Sequence, residues 1–175
     1  MLHAAIQTPF TIARSVVKTE GIPLSDLRTH EMTEVLAIWR AHRNGREMPA
    51  RNDLVPRTMG RYLRNISLIR VLQLEQDYEF RIVGDAHVEA YDMRNYGRRV
   101  SKLVLEAPEF ANSLKTTLDL AVKERTPFAY RVVFDKDNNN PCFSRLETLY
   151  APMANTNGPV DYILNACAYD MRSDA

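Results

Sequence analysis

A chain of 175 residues with 45% apolar side chains can bury one sizeable core and is too apolar to stay disordered throughout. Its charges nearly cancel at +1, which excludes a uniformly polybasic or acidic chain, and no run of about 18 apolar residues is present to span a membrane. Cys142 and Cys167 are too few for a disulfide framework and lack C-x-x-C spacing, so a reducing, cytoplasmic compartment is expected.

The opening residues carry no basic stretch ahead of a long apolar block, so they do not read as a secretory signal. Ile6, Phe10, Ala13, Val16 and Val17 fall at loosely helical spacing, interrupted at Pro9, and Gly21-Ile22-Pro23 ends the segment. A helix this short is marginal alone, so it is expected to dock on its own domain or on a second copy. The next helix is better signalled. Thr29 can cap it, Glu31 and Glu34 suit its positive end, and Met32, Val35, Leu36 and Trp39 share a face. Asn44-Gly45 supplies a left-handed stop. Beyond the extended Pro49–Asn52 stretch, Asp53 is expected to cap a short helix that uses Val55, Met59, Tyr62 and Leu63. Residues 1–65 thus read as a helical collar ahead of a core at 66–170.

That core opens with Ile66–Leu72 and Tyr78–Val83, joined by a turn containing Glu75-Gln76-Asp77, which makes a hairpin. Alternation puts Tyr78, Phe80 and Ile82 on one face and Glu79, Arg81 and Val83 on the other. Asp85 can cap a short helix through Tyr91, and Asn95-Tyr96-Gly97 interrupts again. Pro108 at a first-turn position opens a helix with Phe110, Leu114, Leu118 and Ala121 in one stripe, closed by Thr126-Pro127. Three β-like runs follow, Phe128–Phe134, Phe143–Met153 and Val160–Ala168, separated by the polar loop at 135–141 and the turn at 155–158. The order predicts an α+β fold: a five-stranded antiparallel sheet with helices on one face, preceded by N-terminal helices.

Trp39-Arg40-x-x-Arg43-x-Gly45-x-x-x-Pro49-x-Arg51-x-Asp53-x-x-Pro56 resembles the opening of a bacterial family of short, stand-alone PAS-domain proteins. Tyr78-x-Phe80-Arg81-Ile82-Val83-Gly84, the helix through Tyr91, Gly97, and Pro127 before an aromatic strand also match. So does Leu149-Tyr150-Ala151-Pro152-Met153 followed by a turn and Val160-Asp161-Tyr162-Ile163-Leu164. The likeness runs from residue 39 to 168. It implies a PAS fold and a signalling role exercised through shape change and partner contact, without implying a particular ligand.

The strand and helix positions that would rim such a pocket are Arg81, Val83, His87, Tyr91, Tyr130 and Tyr150. Arg81 can bind a carboxylate or phosphate if buried; otherwise it pairs across the sheet with a glutamate such as Glu147. A lone His87 is weak ground for haem, and neither Cys142 nor Cys167 sits in the helix motif that flavin photochemistry requires. No metal set is assigned to His87, Glu89 and Asp92, which read as a helix face. Ile6, Phe10, Val17, Leu36 and Trp39 are the candidates for a homodimer or a signalling-partner contact, with a small-molecule ligand as a further option. Two other readings carry less of the pattern. One is a small α+β-barrel isomerase or hydratase using Asp85, His87 or Tyr130. The other is anion or nucleic-acid binding through residues 39–70, which hold eight arginines against Glu47 and Asp53, a local +6 that leaves −5 on the remainder. The arginines are expected instead to solvate the collar and pair with acids elsewhere.

Overall fold

The computed structural model describes residues 16–54, 56–91, 97–134, 143–155 and 158–171. Six strands form one antiparallel sheet in the order β1-β4-β5-β6-β2-β3, with β1 at Val16–Ile22, β2 at Ile66–Leu72, β3 at Asp77–Val83, β4 at Phe128–Phe134, β5 at Phe143–Met153 and β6 at Tyr162–Met171. The hairpin and the last three strands form the expected five. The sixth corrects the reading of the N-terminal segment: Val16 and Val17 belong to a strand, not a helix, and Gly21 and Ile22 register against Tyr130 and Ala129 of β4. A β-branched run with Lys18, Thr19 and Glu20 in alternation suits an edge strand, and β4 supplies the ladder bonds that the isolated segment lacks. Ile6 and Phe10 lie outside the described residues, as does the whole β4–β5 loop, Cys142 included.

The helices divide between the two faces. On one face, here called outer, lie α1 (His30–Ala41), α2 (Pro56–Met59) and the 3-10 turns at Arg51–Asp53 and Gly60–Asn65. α1 buries Met32, Val35, Leu36 and Trp39, as its spacing predicts, and ends at Ala41; Asn44 and Gly45, whose φ values of 49° and 78° are left-handed, lie in the turn that follows. Trp39 Nε1 donates to the Pro152 carbonyl at 2.9 Å, so Leu36 and Trp39 pack within their own chain. Asp53 accepts from the Ala50 N–H at 2.7 Å and from Arg46, tying off the collar's extended stretch.

The inner face carries α3 (Asp85–Tyr91), α4 (Val100–Leu103) and α5 (Pro108–Glu124), whose Phe110, Leu114, Leu118 and Ala121 are buried. Arg125, at φ 58°, ends α5 in the left-handed region and reaches Glu47 of the collar at 2.8 Å. Asp77 fixes α4 to β3 by accepting from the Ser101 hydroxyl at 2.6 Å and the Ser101 N–H at 3.1 Å. Residues 97–99 run along the outer edge of β3, with Phe80 N–H donating to the Arg98 carbonyl at 3.0 Å.

One alternation departs from expectation. The register steps from Leu68↔Ile82 to Ile69↔Phe80, which leaves Arg81 as an extra residue in a β-bulge. A single extra residue inverts the faces beyond it. Val83 therefore registers with Ser67, whose neighbours are inner-face residues, while Ile82 joins Leu68 on the outer face and is partly exposed.

Candidate functional site

Two polar constructions interrupt an otherwise apolar sheet, one on each face of β5. On the inner face a cross-strand row runs Phe128, Tyr150, Asn165, Ser67 and Val83 over five strands, and Tyr130, Thr148 and Cys167 form the next row. Phe128 stacks on Tyr150 with centroids 5.4 Å apart and meets Tyr130 edge-on at 5.6 Å. Asn165 Nδ2 donates to Thr148 Oγ1 at 2.9 Å and to the Leu149 carbonyl at 3.2 Å, and the Cys167 thiol lies 3.2 Å from Thr148 Oγ1. Burial pushes that thiol up to about 11, so it is a packed, unreactive sulfur at neutral pH. Ser67 Oγ, buried within the first row, has no hydrogen-bond partner among the described residues.

His87 closes one end of this network. Its Nε2 lies 3.1 Å from the Asn65 carbonyl, which only accepts, so Nε2 carries the proton and Nδ1 accepts from the Tyr169 hydroxyl at 3.1 Å. Burial lowers its pKa to about 4, against the Asn65 bond, which favours the cation. Both ring nitrogens are spent inside the protein.

The outer face of β5 carries Glu147, nearly fully buried. Its carboxylate accepts from the backbone N–H groups of Arg28 (3.0 Å) and Thr29 (3.1 Å), the Thr29 hydroxyl (2.9 Å) and Arg131 Nη2 (2.9 Å). Burial alone would raise its pKa, but these bonds outweigh it and hold the carboxyl below its ordinary value. Arg131 also donates to the Asp26 carbonyl at 3.0 Å. The result is a clamp that fixes the start of α1 to the sheet. Glu147 and Thr148 are consecutive, so the clamp and the inner network lie one residue apart on opposite faces.

The residues anticipated from sequence divide accordingly. Tyr130, Tyr150, Val83 and His87 come to the inner face. Tyr91 is the last residue of α3, and Val17 lies in β1. Arg81 does not join them: the bulge leaves it exposed, 3.2 Å from Glu79 of its own strand, and the anticipated pairing with Glu147 is corrected to Arg131–Glu147 across β4 and β5. His87 bonds Asn65 and Tyr169, not Asp85 or Tyr130. In the collar, Arg46 pairs with Asp53, Arg64 with Glu89, and Arg43 and Arg51 lie over the rings of Trp39 and Tyr162. Sequence reasoning named Glu147 only as a partner for Arg81, and it missed Arg131, Thr148, Asn165 and Tyr169. The available signal was polar residues at inward positions of near-continuous apolar strands.

Among the described residues no group of three or more histidine, cysteine or acidic side chains is placed to hold a metal, and no helix is long and apolar enough to cross a membrane. Comparison with curated proteins and with solved structures gave no match. A family model of the PAS domain matches residues 27–168, which takes in the collar from the Glu147 clamp onward, the hairpin, all three inner-face helices and the last three strands. On that match and this sheet order, the chain belongs to the PAS domain family.

Proposed function

We propose that the chain is a non-enzymatic, cytoplasmic signalling module that senses or relays through contact with partner proteins and forms a homodimer. PAS membership supports the general sensing and interaction role. The observation that carries the mechanism is the adjacency of Glu147 and Thr148 on β5. An event that rearranges hydrogen bonds on the inner face, where Ser67 Oγ has no partner among the described residues, acts one residue away on the clamp that seats the collar. Output is then a shift between two seatings of α1 on the sheet, driven by whatever binds one seating better. A small polar ligand among Ser67, Thr148 and Asn165 is the input this arrangement suits. Residues 1–65 serve as the collar and 66–170 as the core that reads the input.

Hydrogen exchange tests the coupling. Thr148→Val removes the inner hydroxyl without touching Glu147, and it should speed exchange over residues 28–41 while leaving the β2–β3 hairpin unchanged. Identical collar exchange in the two proteins rejects the mechanism. Native mass spectrometry of protein from its source cells tests the ligand, through extra mass per subunit that denaturation removes.

A further inference from the structure

A recess of about 500 Å³ opens on the outer face where the sheet runs out from under the start of α1. Val133 and Ala168 form its apolar floor, and Arg28, Arg131 and Arg145 stand around it. The charges are unequally satisfied. Arg131 is committed to Glu147 and to the Asp26 carbonyl. Arg28 and Arg145 are exposed, and among the described residues neither guanidinium closes an ion pair. The acids nearby do not change this. Glu147 has its oxygens filled by the clamp, Asp170 registers opposite Arg145 without pairing with it, and Glu20 on β1 feels Arg28 only at longer range. Because Thr29 turns its hydroxyl to Glu147 and does not cap α1, the positive end of that twelve-residue helix adds to the same field.

We propose that this recess docks an acidic segment of a partner protein, with a carboxylate between Arg28 and Arg145 and a neighbouring apolar side chain on Val133 and Ala168. The assignment rests on the reading of the chain as an interaction module. A protein segment fits better than a free small anion. Both guanidinium groups are exposed, so an isolated carboxylate would gain only the small energy of a surface ion pair, whereas a segment also removes apolar area from water. Arg131 lines the recess and holds Glu147, so occupancy bears directly on the collar clamp.

Selection from a random peptide library on the full chain, counter-selected with the R28E/R145E variant, tests this. Enriched peptides should share Asp or Glu beside a bulky apolar residue. Their synthetic forms, followed by fluorescence anisotropy, should lose at least about tenfold in affinity on Arg145→Glu and weaken with added salt, while Arg145→Lys keeps much of the binding. Replacing the peptide acid by lysine should abolish binding to the natural chain and restore it to R28E/R145E. Matching circular dichroism and melting of the variants excludes a folding defect. Peptides that bind both proteins equally overturn this site and leave the interaction reading standing; no enrichment at all removes both. Succinate displacing the peptides at comparable concentration would reassign the recess to a small anion.

Discussion

Thr29 stands where a threonine would cap α1, yet its hydroxyl donates at 2.9 Å to Glu147 on β5, 118 positions along the chain. A local capping bond has been exchanged for a long-range one. The start of α1 is thereby held by the sheet, and the helix cannot lift without exposing Glu147 and leaving two backbone N–H groups and the Thr29 hydroxyl without their acceptor.

Glu147→Ala should cost about 3 kcal/mol or more in urea unfolding, because it strands several buried donors at once. Glu147→Gln should cost less. The pH dependence has a definite sign. The folded carboxyl is held below its ordinary value of 4.5, so its stabilisation is complete above that value and is lost as pH falls through the lowered one. The Gln variant should flatten this acid limb, and an unchanged limb would remove Glu147 as its source.

His87 titrates in a different window. Its folded pKa is lowered from 6.5 to about 4, so the unfolded chain takes up the proton first. Stability should be full above pH 6.5 and fall between there and pH 4, by about 3 kcal/mol in all. His87→Gln should abolish that slope. An imidazole resonance titrating near its ordinary value in the folded protein would refute the buried, neutral assignment.

Gly84→Ala should destabilise by about 3 kcal/mol, since a Cβ there would drive into the Leu63 and Arg64 carbonyl oxygens, which are backbone and cannot swing aside. Gly60→Ala is the matched control. A Cβ at Gly60 meets nothing within 4 Å, so thermal melts should show little loss or a slight gain.

Trp39→Phe keeps an aromatic ring but removes the pyrrole portion with its bond to the Pro152 carbonyl, a loss of about 1 kcal/mol for the bond and more for the space left behind. Because Trp39 is the single tryptophan, its emission reports the seam between collar and sheet. In Glu147→Ala the emission should move red at a lower urea concentration than the far-ultraviolet circular dichroism changes. Coincident transitions would mean that collar and sheet unfold as one unit.

Elements set by local chemistry were legible in the sequence. Apolar spacing placed α1 and α5, Asn44-Gly45 marked the left-handed turn just past the end of α1, and the hairpin and the last three strands were found with small boundary errors. What escaped was set by partners distant in the chain. β1 is a strand because β4 lies beside it, and the bulge at Arg81 is visible only in its pairing with β2. Glu147 was named as a partner for the wrong arginine, because a strand pattern gives the face of a residue but not which strand lies next to it. Tyr130, Tyr150 and His87 were found as inward positions, while Thr148 and Asn165 passed as ordinary strand residues.

The clamp also imposes a schedule on synthesis. The helix that presents Met32, Val35, Leu36 and Trp39 is made early, but the residues that receive it, from Glu147 to Pro152, are made more than a hundred residues later. At ribosomal elongation rates that interval is on the order of ten seconds. Throughout it, an apolar helix face is complete and has nowhere to dock. The nascent chain therefore passes through a stage in which its own collar is an adhesive surface, and slow translation or crowding between copies should raise losses to aggregation before the last strands arrive.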